Sequence, residues 1–419
     1  MKRILLATFA CVTMTVQGAQ FAIVGAKVHT MAEQGTLEEA TILIKDGYIQ
    51  DVLKGSQTVR GYEPINAKGK VVTPGLIGAY TALGLKEVGL SAGQVDSTVD
   101  MDHAEHLTSV GAALDVSYAI NPDSSLIPIA RIEGFTAAAT NIERSGFLFK
   151  GQGAIMHLTD DDALLKSRAF VSVDVTNSGA DRVGGTRAVM WPTLINALTE
   201  ALEFDNEDWD GMLSKADAEA LSHVVAGHIP LLVMADRKAD ILQVIALQQR
   251  FAKLNVVLVN GVEAWRVAEQ LAQANIPVII NPEYNLPGGF DRIGATLANA
   301  GRLAQAGVDV AIGMETHNIR LATQHAGNAV ANGMPYQDGL AALTSNVAKI
   351  YGMDKQVGSI KAGMSADVVI WSGDPLEVTE AAEQVFIKGQ AIEMSSRQTE
   401  LRDRYLDLEQ ARPMSYVRP

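Results

Sequence analysis

Eight short runs rich in Val, Ile and Ala recur between Val71 and Met314, and they limit the possible folds more than any other feature. They cover 71–77, 135–140, 154–158, 170–175, 230–235, 255–259, 276–280 and 308–314. Runs this short and this apolar suit strands buried on both faces of a parallel sheet. In the second half helical stretches separate them: 238–253, with Ile241, Leu242, Ile245 and Phe251 on a 3.6-residue spacing, then 263–274 and 291–306. Strand and helix in alternation read as βα units of an α/β protein. Eight such units close a (β/α)8 TIM-type barrel. The alternative is an open doubly wound sheet, which usually carries a Gly-rich phosphate turn after its first strand. Thr73-Pro74-Gly75-Leu76-Ile77-Gly78 lacks that spacing.

Both ends of the chain read differently. From Phe21 to Val72 short β runs follow one another, and Asp46-Gly47 between Ile42-Leu43-Ile44 and Tyr48-Ile49 predicts a tight hairpin turn. A similar pattern returns at 366–371 and 383–387. The expected organisation is a composite β-sandwich from 20–73 and 352–394, a barrel from 74–351, and a polar tail from 395–419 with one exposed helix over 395–411.

The first nineteen residues read as a signal peptide. Met1-Lys2-Arg3 is basic, 4–13 is apolar but too short to span a bilayer, and Gly18 and Ala19 are small residues suited to cleavage. Cys11, the single cysteine, lies inside that run, so the mature chain has neither disulfides nor thiol chemistry. A lipoprotein site at Cys11 would need a longer apolar stretch before it. The 419 residues carry 34 Lys+Arg against 48 Asp+Glu, a net charge of −14 that deepens once the leader is removed. Phosphate contacts need clustered cations, so nucleic acid and anionic membrane are excluded as main partners. A composition of 47% hydrophobic and 20% charged residues also excludes disorder. These features point to an exported, periplasmic or secreted protein with a small-molecule substrate or ligand and a possible homo-oligomeric state.

Several stretches carry a resemblance. Val71-Val72-Thr73-Pro74-Gly75-Leu76-Ile77, Glu263-Ala264-Trp265-Arg266-Val267-Ala268, Leu343-Thr344-Ser345-Asn346-Val347-Ala348 and the long run 358–371 are similar to segments of the amidohydrolase superfamily. The likeness is greatest to its imidazolonepropionase-like branch and runs from about Phe21 to Ile392. It implies a TIM barrel with a β-sandwich from both termini, and hydrolysis of non-peptide C–N (amide) bonds by water activated on zinc or another divalent metal. The ligands this implies are a His-x-His pair on strand one, a Lys or Glu on strand three or four, a His on each of strands five and six, and an Asp on strand eight. Here the first pair reads Gly78-Ala79-Tyr80-Thr81-Ala82. Strand five carries Met234, strand six reads Val259-Asn260-Gly261-Val262, and strand eight reads Gly313-Met314-Glu315. Alanine and valine offer no lone pair, a thioether is soft, and a phenol holds its proton to a pH of about 10. A catalytic zinc needs three good ligands. The expectation is therefore that no catalytic metal is held at these positions.

Other residues could carry chemistry at the barrel mouth. Glu315 and His317 follow strand eight and could act as general base and partner, with Tyr80 as proton donor or oxyanion partner. The alternative for them is a surface carboxylate and a hydrogen-bonded loop imidazole. His157, ending the third run, stands near the family's Lys/Glu ligand position and is a candidate substrate-binding residue, the alternative being a satisfied buried imidazole. Arg182 and Arg187 flank Gly184-Gly185 and could clamp a carboxylate or phosphate, or equally belong to an ordinary mobile loop. In the cluster Asp100-Met101-Asp102-His103-Ala104-Glu105-His106, His103 and His106 share a helix face and could meet a metal with Asp102 or Glu105, the alternative being a solvated acidic loop; His223 and His228 read as structural. Two functions follow: a hydrolase of amide C–N bonds with a degenerate metal site, or a non-catalytic binder of a small molecule or protein.

Overall fold

The structure, a computed structural model, describes residues 20–87, 96–159, 163–205, 207–313 and 316–406. The leader and Glu315 lie outside the described residues. The chain opens with β1 (Gln20–His29), β2 (Thr36–Lys45), β3 (Tyr48–Lys54), β4 (Glu63–Asn66) and β5 (Val71–Pro74). Next come β6 (Leu76–Thr81), β7 (Thr98–Val99), β8 (Phe135–Thr140), β9 (Arg144–Ser145), β10 (Phe149–His157), β11 (Leu164–Asp174), β12 (Leu231–Ala235), β13 (Val256–Asn260), β14 (Val278–Ile280) and β15 (Val310–Ile312). The last strands are β16 (Val368–Trp371), β17 (Ala382–Ile387) and β18 (Gln390–Ala391), followed by a helix at Arg397–Leu406.

Two large sheets result. One joins β1–β5 to β16–β18, with β5 lying between β1 and β16. At the β2–β3 hairpin Asp46 and Gly47 both take positive φ, as a two-residue primed turn requires. That turn meets the Lys388-Gly389 turn, because Tyr48 bridges to Ser365 and the Ala366 amide donates to the Gly47 carbonyl. The sheet thus curls over a core of Ile23, Val28, Ile42, Ile44, Val72, Val368 and Phe386.

The other sheet runs β6-β8-β10-β11-β12-β13-β14-β15 and is the barrel. Its ends approach through a Thr81–Thr316 bridge, with the Ala82 amide donating to the Thr316 carbonyl. Ile77, Ala139, Ile155, Phe170, Leu232, Val257 and Ile279 fill the interior. Tyr351 plugs the floor, its hydroxyl donating to the Ala79 carbonyl.

Two expectations need correction. The run 71–77 is not one strand: β5 belongs to the curled sheet and β6 to the barrel. Gly75 lets the chain cross between them, since a Cβ there would lie 2.2 Å from Thr136 Oγ1. Nor is the barrel sheet parallel throughout, because β10 pairs antiparallel with both β8 and β11. The helix foreseen over 238–253 forms at Lys238–Arg250, whereas 263–274 divides into two short pieces and 291–306 keeps Asn299–Gln305 after a single 3-10 turn at Phe290–Arg292. Among the described residues no helix is long and apolar enough to cross a membrane.

Candidate ligand site at the barrel mouth

The C-terminal ends of the parallel strands gather Asp174 from β11, Met234 from β12 and Asn260 from β13 around a cavity of about 340 Å³. Because β10 runs the opposite way, its first residues reach this face, and Lys150 lies in the wall at only 3% exposure. Arg182, Arg292, Arg144 and Glu143 complete the charged lining, beside Thr176, Ser178 and Tyr284. Four cations thus face two carboxylates among the described lining residues. The excess is positive in a protein that is acidic as a whole.

Local sequence explains the geometry. Thr176 N-caps the helix Asn177–Arg182, accepting from the Ser178 amide. Asp174 accepts from the Thr176 amide at 3.0 Å and from its hydroxyl at 2.6 Å. Gly179 lets the helix lie against the strand end, since a Cβ there would be 1.7 Å from the Asp174 carbonyl oxygen. Arg182, one turn later, donates to Asp174 Oδ2 at 3.1 Å. Across the mouth Arg292 donates to Asp236 Oδ2 at 2.8 Å and lies over the Tyr284 ring. Burial pushes the Asp236 carboxyl up, against the opposing pull of Arg292.

Tyr80 is fully buried beside this cavity, and its hydroxyl donates to Met234 Sδ at 3.6 Å. Two positions where the family resemblance implies imidazoles therefore touch. His317 is half-buried near the Lys86–Glu143 ion pair. Burial, aided by the Lys86 charge, holds its imidazole below the usual 6.5 despite the counteracting Glu143. Its NMR titration midpoint is expected below 6.5, rising on Lys86→Ala. Since the folded state binds this proton less readily than the unfolded chain, His317 favours folding above pH 6.5. That contribution is lost as pH falls through the folded midpoint.

The other candidates are placed differently. His157 is not at the mouth. It ends the antiparallel β10 and therefore sits at the barrel floor, Nε2 3.0 Å from Asp367 Oδ2. Arg187 lies outside the mouth cavity, held by Asp240 at 2.9 Å, Asp291 at 2.7 Å and Asn177 at 2.6 Å. The two arginines therefore do not form one clamp. In the 100–106 cluster His103 stands 3.6 Å from Asp100 on an exposed turn. Among the described residues no group of three or more His, Cys, Asp or Glu is placed to hold a metal ion.

The strands that supply Met234 and Asn260 match a known family. Residues 226–392 match the model of the amidohydrolase family. A 59-residue stretch is also 48% identical to Amidohydrolase tasK of Hapsidospora irregularis, taking in 14% of this chain and 6% of that protein. The chain thus matches only a small part of that relative's length. In fold the molecule is similar to an amidohydrolase from Thermotoga maritima MSB8, with 22% identity and a TM-score of 0.79 over 89% of this chain and 99% of that one. Molinate hydrolase is similar over 90% of this chain and 95% of its own, at 16% identity and a TM-score of 0.55. At such identities these likenesses concern the amidohydrolase-type fold alone.

Proposed function

We propose that this protein is an exported member of the imidazolonepropionase-like branch of the amidohydrolases. Its barrel mouth binds a small anionic amide, and the metal-ligand set of its C–N hydrolase relatives is degenerate. The observation that carries the reading is the positive lining around Met234 and Lys150. The donor set beside it does not fit a catalytic divalent metal. Tyr80 keeps its proton in a hydrogen bond to a thioether, and Ala82 and Val262 have no side-chain donor atom. The basic, apolar leader supports periplasmic placement.

The test uses the mature chain purified without chelator. Elemental analysis should find well under one zinc per chain, and a panel of N-acyl amino acids should raise Tm. A ligand held at about 100 times its Kd adds roughly 2.7 kcal/mol. Arg182→Ala should abolish that shift, and a stoichiometric zinc or a shift indifferent to Arg182 would overturn the reading. The neutral imidazole of His317 favours a second reading, metal-free hydrolysis by Glu315 and His317 with Tyr80. In that case turnover of the same panel should disappear in Glu315→Gln.

A further inference from the structure

Asn260 ends β13 and lines the mouth cavity, half-buried. Its backbone is left-handed, φ +71°, a conformation that an L side chain adopts at a cost and that asparagine tolerates better than most. The surroundings hold it there. Asn260 pairs with Ala235 in the β12–β13 ladder, and the next residue, Gly261, donates its amide to the Ala235 carbonyl at 2.9 Å. The Gly261 carbonyl accepts from Nδ2 of the buried Asn299 at 2.9 Å, and the Glu263 amide donates to the Asp236 carbonyl at 2.9 Å. A turn asparagine ordinarily spends its carboxamide on nearby backbone. This one does not: among the described residues the Asn260 side chain has no hydrogen-bond partner. A pinned, strained backbone that leaves a polar group unused beside a cavity is a pattern of ligand sites.

The rest of the lining says which half of that carboxamide a ligand would use. The cations there only donate, so a ligand N–H must find its acceptor elsewhere. Asp174 already accepts from Thr176 and Arg182, and Glu143 is paired with Lys86. The Thr176 hydroxyl also accepts from the Ser178 amide, Ser178 Oγ accepts from Arg182 at 3.4 Å, Tyr284 meets Arg292, and Met234 Sδ accepts from Tyr80. Asn260 Oδ1 remains, a neutral acceptor that does not repel an anion. We propose that Asn260 sets the specificity of the mouth by accepting the N–H of the ligand's amide at Oδ1, so that the site takes amides and rejects the matching esters. This role rests on the reading of the mouth as the site of a small anionic amide. An ester puts a bridging oxygen where the N–H would be, and two acceptors then face each other.

Titration calorimetry on the mature chain tests this with N-acetyl-L-alanine, N-acetyl-L-leucine and N-acetyl-L-phenylalanine, each beside the O-acetyl ester of the matching hydroxy acid. Each ester differs from its amide only by oxygen in place of N–H. The tightest-binding amide is expected to exceed its ester roughly tenfold, in keeping with one hydrogen bond lost and one acceptor left unmatched. Asn260→Gly removes the carboxamide and keeps the backbone, since glycine takes positive φ freely, so its Tm should hold. In that variant amide and ester should bind alike. Asn260→Asp keeps the acceptor and adds a negative charge, so it should weaken both anions yet preserve the preference. If Asn260→Gly fails to fold, the wild-type ratio and Asn260→Asp decide. Equal wild-type affinities, a preference that survives in Asn260→Gly, or one lost in Asn260→Asp would each overturn the role of Asn260. In those cases binding that still disappears in Arg182→Ala leaves the mouth reading standing. If none of the acids binds, the mouth reading falls and takes this role with it.

Discussion

Asp217→Ala is expected to lower the unfolding free energy by about 3–5 kcal/mol, a large share of what a single-domain protein has. Asp217 is fully buried on the helix Lys215–Val225. It accepts from the Thr108 hydroxyl, the Ser109 amide and hydroxyl, the Val110 and Ala113 amides, and Ser214 Oγ. Truncation would leave three backbone N–H groups facing apolar space, and unsatisfied buried donors dominate such losses. Ser214 and Asp217 also cap the helix start, the Asp217 amide donating back to Ser214 Oγ. Urea unfolding monitored by circular dichroism should show a lower midpoint with an unchanged slope. Glu219→Ala, exposed on the same helix, should stay within about 0.5 kcal/mol.

The second large effect is expected at Gly153. This residue pairs with Phe170 across β10 and β11, and the Phe170 ring lies over it. A Cβ there would come within 1.9 Å of the ring, which is itself packed against Tyr351 in the closed interior. Gly153→Val should therefore cost about 3 kcal/mol or more through forced overpacking. Combining it with Phe170→Leu should recover part of that loss. A double-mutant cycle with no coupling between the two sites would disprove the explanation.

The strands of the barrel could be read from periodicity, because the Val- and Ile-rich runs stay apolar whichever face they present. Their direction could not be read that way. The signal for β10 lay instead in the connections 141–148 and 158–163, both too short for the crossover of a dozen or more residues that parallel neighbours need. Missing it exchanged the two ends of β10, so the sequence pointed to His157 where the structure puts Lys150 at the mouth. The division at Pro74-Gly75 was hidden for a related reason: both halves are apolar strands, and only the close approach of Thr136 shows why a glycine stands between them. Arg182 was legible as a cation beside a flexible turn. Its pairing with Asp174 was not, because that depends on a helix angle set by Gly179.

The way the barrel ends meet has a mechanical consequence. Among the described residues seven junctions between neighbouring barrel strands carry ladders, while β6 and the segment after β15 meet at an isolated bridge between Thr81 and Thr316. Such a ring behaves as a split collar, stiff around most of its circumference and compliant at one slit. Amide exchange at Ala82 should outpace that at Val257 or Leu232, and any occupant too wide for the opening would spread the collar there first.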